Sequence, residues 1–100
     1  MKQVRMKPDA RKEDIMAAAL PLAERKGYNR ITRDEIVAAA KVSGPVLHYH
    51  FGSMDQFRRS LMRYAVKNRC LRVIAQGIVA NDAQALKVDE ATRREALAAF

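Results

Sequence analysis

The chain of 100 residues has one cysteine, Cys70, and no tryptophan. A lone thiol cannot close an intramolecular disulfide and leaves nothing for a thiolate metal cluster, so a reducing compartment, the cytoplasm, is the expected setting. Glycine and proline are sparse, at four and three residues, and no glycine-rich phosphate loop or low-complexity tract can be found. Strand-like alternation and internal repeats are missing too. No apolar run approaches the ~20 residues of a membrane span, and the opening MKQVRMKPDARKED lacks the apolar middle of a signal peptide. Acids are also in short supply. Lys and Arg number 19 against 11 Asp and Glu, for a net charge of +8 and a pI near 10.2. A small basic protein of this kind usually meets a polyanion. Its length suits one domain with a modest core and leaves no room for a spacious ligand chamber as well.

The charge is unevenly placed. Residues 1–30 carry eight cations against four acids, residues 61–80 four against none, and residues 81–100 three against four. Residues 1–8 are basic, lack an apolar period and end at Pro8, which marks them as a flexible arm. From Asp9 to Lys26, Ile15, Ala18, Ala19, Leu22 and Ala23 recur at helical spacing, and Gly27 is a suitable stop. Pro21 lies inside this stretch. Because an interior proline removes a hydrogen bond and crowds a carbonyl, a kink or two shorter helices are expected there.

Thr32 and Glu35 form a capping box for a second helix from Arg33 to about Ala40, expected to bury Ile36, Ala39 and Ala40. Lys41, Val42 and Ser43 make a corner, Ser43 caps the next helix, and Pro45 falls harmlessly in its first turn. Leu47 and Phe51 face inward from this third helix, and Gly52 ends it. Ser53 and Gln56 cap a fourth helix, which could reach Ile78, roughly 36 Å at 1.5 Å per residue. Asn81-Asp82 then marks a break, and a last helix runs from about Glu90 behind an Asp89 cap. The fold is read as all-α: residues 9–52 form a three-helix helix-turn-helix unit. Residues 53–100 supply a long helix and a short C-terminal one that cover the core and serve dimerisation.

Two short helices joined by three residues with a valine in the corner are the packing unit of a helix-turn-helix. With Leu47 and Phe51 turned inward, Gly44, Pro45, Val46, His48 and Tyr49 are left on outward faces. Small and apolar groups there can meet thymine methyls, and hydroxyl or imidazole groups can reach phosphates or base edges.

In order and spacing, Ile15 to Ala19, Gly27-Tyr28, Thr32 to Val37, Lys41-Val42-Ser43, Leu47 to Phe51 and Gly52 to Asp55 resemble the DNA-binding signature of TetR-family transcriptional repressors, over about residues 11–66. The resemblance implies that the third helix enters the major groove, that Thr32 and Arg33 approach phosphates, and that Ser43, Gly44, Pro45, Val46 and Tyr49 face bases. It places His48 and His50 at or near the DNA backbone. Lys41 replaces the family's corner glycine and must accept the positive φ of the turn. His48 replaces a phosphate-contacting tyrosine, with Tyr49 one place later, and Met54 replaces the usual lysine.

The implied function is a homodimeric repressor that binds a palindromic operator in double-stranded DNA and occludes a promoter, with Lys2, Arg5 and Lys7 of the arm adding contacts. Fewer than 50 residues follow Phe51, so the chain is either a short repressor or a fragment of a longer, inducer-responsive one, and for the former a small-molecule inducer is not expected. Positions 57, 61, 64, 68, 71, 75 and 78 are heptad-like, and Asn68, Leu71, Ala75 and Ile78 are the candidate dimer residues.

Other features suggest less. His48 and His50 stand about 200° apart on a helix and cannot share a metal ion. Ser43, Ser53 and Ser60 lack a base and an orienting acid, so neither an enzyme nor a cofactor is read here. Arg58, Arg59, Arg63 and Lys67 form a solvated face, with a secondary phosphate role as the alternative. Cys70 is read as a half-buried packing residue. A helical adaptor using its basic face on an acidic partner is the rival reading, and the lack of exposed Trp or Phe clusters argues against membrane-surface binding.

Overall fold

A computed structural model describes the backbone of residues 8–100 and the side chains from Ala10 onward. It contains six α-helices: α1 (Pro8–Lys26), α2 (Arg33–Ala40), α3 (Gly44–Phe51), α4 (Met54–Lys67), α5 (Leu71–Val79) and α6 (Glu90–Ala99), with one 3₁₀ turn at Ala85–Lys87 before α6. The fold is all-α, as expected. The arm residues Lys2, Arg5 and Lys7 lie outside the described residues.

The caps at α2, α3, α4 and α6 are those the sequence indicates. Thr32 and Ser53 each accept from the third backbone N–H of their helices and receive the reciprocal Glu35 or Gln56 bond. Ser43 accepts from Val46 N–H, and Asp89 from Thr92 N–H. Gly27 closes α1 at φ 102°, a conformation that costs glycine little.

Two expectations for the helices fail. One is the division into two shorter helices at Pro21, which sits inside one uninterrupted α1. Both Pro21 and Ala17 are exposed, so water can hydrate the Ala17 carbonyl that loses its donor. The second failure is the fourth helix, which stops at Lys67 instead of reaching Ile78. Arg69 takes a left-handed conformation, φ 52°. Cys70 N–H then donates to Ala65 O at 2.8 Å, and Arg69 N–H to Val66 O at 3.2 Å. These two bonds make a Schellman ending without a glycine. Tertiary contacts compensate for its strain. The Arg69 guanidinium donates to Thr92 Oγ1 at 3.2 Å and pairs with Glu95, both on α6.

The break undoes the heptad seam. Asn68 turns its amide onto Tyr64 O at 2.8 Å, Leu71 and Ile78 are half-buried against the core, and Ala75 is 0% exposed within the monomer. Ala75 is therefore unavailable to a partner. In α2, Ala39 is exposed where burial was expected, while Ile36 is buried with Val37 and Ala40 packed partly beside it. Ala39 lies about 60° from Ile36 on the side away from Val37 and Ala40, so it falls off the buried stripe.

One continuous core joins all six helices. Ile15, Ala19 and Ala23 of α1, Ile36 of α2, Leu47 and Phe51 of α3, and Phe57, Leu61, Met62 and Ala65 of α4 meet Val73, Ile74 and Ala75 of α5 and Ala96 of α6. Phe51 and Phe57 meet edge to face, with ring centroids 4.9 Å apart. Helix α4 runs back along α1, so Glu13 near the start of α1 lies 3.7 Å from Lys67 at the end of α4. Helix α5 is fastened to the end of α1 by Gln76, whose Nε2 donates to Ala23 O at 2.9 Å while its Oε1 accepts from Tyr28 N–H at 2.8 Å. The Tyr28 hydroxyl donates to Asp82 at 3.1 Å. The α1–α2 junction, which sets where α2 begins, is thereby braced by residues more than forty positions downstream.

Candidate nucleic-acid interface

Helix α3 owes its orientation to two buried side chains. Leu47 and Phe51, one turn apart, point into the core, and a residue two positions from either is turned about 200° away. Pro45 and Tyr49 accordingly occupy the outward face. Pro45, His48 and Tyr49 are exposed, and Gly44, Val46 and His50 are half-buried. Tyr49 is 80% exposed, with its ring edge-on to His50 at 5.1 Å between centroids. An exposed tyrosine beside an exposed proline on an eight-residue helix gains nothing from the protein's own core. Both are open to solvent.

The corner before α3 is fixed by Lys41, at φ 58° and ψ 45°. Val42 N–H donates to Val37 O at 3.2 Å, and Val42 packs against the core. The Lys41 side chain projects into solvent. Its ammonium is one charge the corner carries outward.

Thr32, Arg33 and Ser43 prove partly engaged in holding the motif. Thr32 and Ser43 are exposed caps, so each hydroxyl oxygen already accepts one backbone N–H. Arg33 Nη1 donates to Gly44 O at 3.4 Å, across from α2 to the first residue of α3. A Cβ added to Gly44 would come 3.9 Å from that same nitrogen. Arg33 thus lies over the entry to α3, and the two helices of the motif are tied at the end where a groove-binding helix inserts. Glu35 on α2 is held below the ordinary carboxylate range, first by its bond from Lys26 and then by Thr32 N–H. It stays ionised and already paired. No acid lies on α3.

Sequence reasoning missed the supports behind this surface. Arg58, read as part of a solvated basic face, is turned inward: Nη2 donates to Ile31 O at 3.3 Å and Nη1 reaches Asp55 at 3.5 Å. Ile31 immediately precedes the Thr32 cap, so α4 grips the start of α2. The signal that could have found this is the acid-free run after Asp55, within which one arginine has an acid three residues before it. The rest of the series behaves as read, with Arg59, Arg63 and Lys67 exposed. Cys70 is half-buried, its thiol 3.4 Å from Glu24, and burial pushes that thiol up from its ordinary value.

Among the described residues no three His, Cys, Asp or Glu side chains converge on a point that could hold a metal ion. Among the same residues no helix is long and apolar enough to cross a membrane. Comparison with known proteins matches residues 15–61 to the family described as bacterial regulatory proteins, tetR family. No curated protein and no solved structure matches the chain. The matched stretch runs from the first buried residue of α1 to the middle of α4 and contains every support of α3 described above except Gln76 and Asp82. Residues 15–61 therefore form a TetR-family helix-turn-helix DNA-binding domain, and the protein is a DNA-binding transcriptional regulator.

Proposed function

We propose that the protein is a homodimeric repressor in which each protomer inserts α3 into the major groove of one half of a palindromic operator, occluding a promoter. The observation that carries this reading is the outward face of α3, where Pro45, His48 and Tyr49 are exposed above a buried Leu47 and Phe51. Pro45, Val46 and Tyr49, with Ser43 and Gly44 at the helix start, are assigned to base edges and thymine methyls. Thr32, Arg33, Lys41, His48 and His50 are assigned to the phosphate backbone, where contacts set register and orientation. Lys2, Arg5 and Lys7 are assigned to backbone or minor-groove contacts.

The second protomer is assigned to the C-terminal helices. With the heptad seam broken, support for this comes from Val79, Leu97 and Phe100, large apolar side chains that stay exposed on or beside α5 and α6. Two-fold symmetry then calls for half-sites roughly 34–36 Å apart, one turn of duplex, or a multiple of it. Selection of bound duplexes from a random pool, with the mass of the complex measured alongside, tests the reading. An inverted repeat bound by two chains is expected. A single unpaired half-site bound by one chain would overturn the symmetric arrangement, and no enrichment at all would favour a basic adaptor that docks on an acidic partner.

A further inference from the structure

Between α1 and α4, on residues that the DNA-reading surface does not use, lies an open groove of about 430 Å³. Met16 and Tyr64, both half-buried, form its apolar floor, Ser60 offers a hydroxyl, and Lys12, Arg63 and Lys67 supply three cations around it. We propose that this groove binds an amphiphilic organic anion: a carboxylate, or a comparable acid group, on an alkyl or aromatic body.

Size, charge and the state of the cations point the same way. Pockets for small organic ligands run from roughly 300 to 1,000 Å³ and combine an apolar lining with a few polar groups. Arg63 Nε lies 3.4 Å from Gln84 Oε1, which leaves the Nη pair free to meet an acid group in forked geometry. Lys67 faces the one acid of the lining, Glu13, at 3.7 Å, and their side chains are 74% and 59% exposed. So exposed a pair contributes little, and a ligand carboxylate can take the place of Glu13. Beyond these two cations a smaller depression of about 250 Å³ adds Lys87, so the positive potential extends along the rim.

Other occupants fit less well. Residues 1–7 carry Lys2, Arg5 and Lys7 without an acid, and the same three cations would repel them. Bare phosphate, free or in a nucleic acid backbone, would leave Met16 and Tyr64 without a partner. An acid with an apolar body uses both halves of the groove.

The test is titration of the full chain with sodium decanoate below its micellar range, followed residue by residue by backbone amide NMR. Hexanoate, inorganic phosphate and decyltrimethylammonium are the comparison probes. The proposal expects saturable shifts centred on Met16, Ser60 and Tyr64, with binding more than roughly tenfold weaker for hexanoate, whose shorter chain has less apolar surface to bury. It expects no saturation by phosphate or by the cation. Arg63→Gln with Lys67→Gln, at exposed positions that spare the fold, should weaken decanoate roughly tenfold or more. Shifts centred elsewhere, phosphate binding as tight as decanoate, or an unaffected double variant would each overturn the assignment.

Discussion

Lys41 separates stability from DNA binding, because its backbone is strained while its side chain does no structural work. Its φ of 58° and ψ of 45° lie in the left-handed region, which costs a residue with a Cβ about 1–2 kcal/mol. Glycine there removes that strain but adds about 0.5–1 kcal/mol of freedom to the unfolded chain. Lys41→Gly should therefore stabilise the fold by about 0.5–1 kcal/mol, and in a domain of this size raise the melting temperature by roughly 2–8 °C. Lys41→Ala keeps the strain and loses only an exposed side chain, so its stability should stay within about 0.5 kcal/mol of the parent. On DNA the two should agree. Each removes one charge assigned to the phosphate backbone, so the slope of log affinity against log salt should become shallower by about 0.9 for each DNA-bound protomer. Thermal unfolding and fluorescence anisotropy at several salt concentrations measure both quantities. The reasoning is refuted if Lys41→Gly lowers the melting temperature, or if both variants keep the parent's salt slope.

The Tyr28 hydroxyl is pushed up to about 12 by burial first and by the charge and hydrogen bond of Asp82 after it. An unfolded tyrosine ionises near 10, so the unfolded chain releases this proton first and stability should hold below about pH 10 and fall between about 10 and 12. Tyr28→Phe should flatten that part of the profile, measured by urea unfolding at stepped pH; parallel profiles for parent and variant would show that Tyr28 is not the group responsible. Gly77 is packed so closely that an added Cβ would come 2.6 Å from both Ala85 Cβ and Met62 Cε. The methionine end can move but the alanine cannot, so Gly77→Ala should destabilise by about 1–3 kcal/mol in spite of its better helix propensity, and unchanged or increased stability in urea would count against the packing described.

The fold was legible in the sequence wherever local chemistry decides structure. Thr32 with Glu35, Ser53 with Gln56, Ser43 and Asp89 all cap the helices their patterns indicate, because a cap is settled within four residues. The end of α4 was not legible. A left-handed arginine carries no local mark, and Arg69 is held there by Thr92 and Glu95, more than twenty residues away. At Pro21 the division into two helices does not occur, since the effect of the proline depends on whether the carbonyl it orphans faces water. For the interface, the outward set on α3 could be read from Leu47 and Phe51 alone, since burial of those two dictates where Pro45 and Tyr49 point. The braces from Gln76 and Asp82 could not, and for Arg58 only the local pairing with Asp55 could, not its bond to Ile31, as each of these bonds joins segments distant in sequence. The exposed apolar residues of α5 and α6 became visible only once the break at Arg69 redirected the chain.

That the outward face of α3 reads sequence is tested most directly by one ratio: affinity for the selected operator divided by affinity for a scrambled duplex of equal length. Tyr49, at 80% exposure, can be changed to alanine without cost to the core. Loss of a base contact counts for about 1–3 kcal/mol, so Tyr49→Ala should lower the ratio roughly tenfold while affinity for the scrambled duplex stays within about twofold. An unchanged ratio, or equal losses on both duplexes, would mean that α3 does not discriminate among bases.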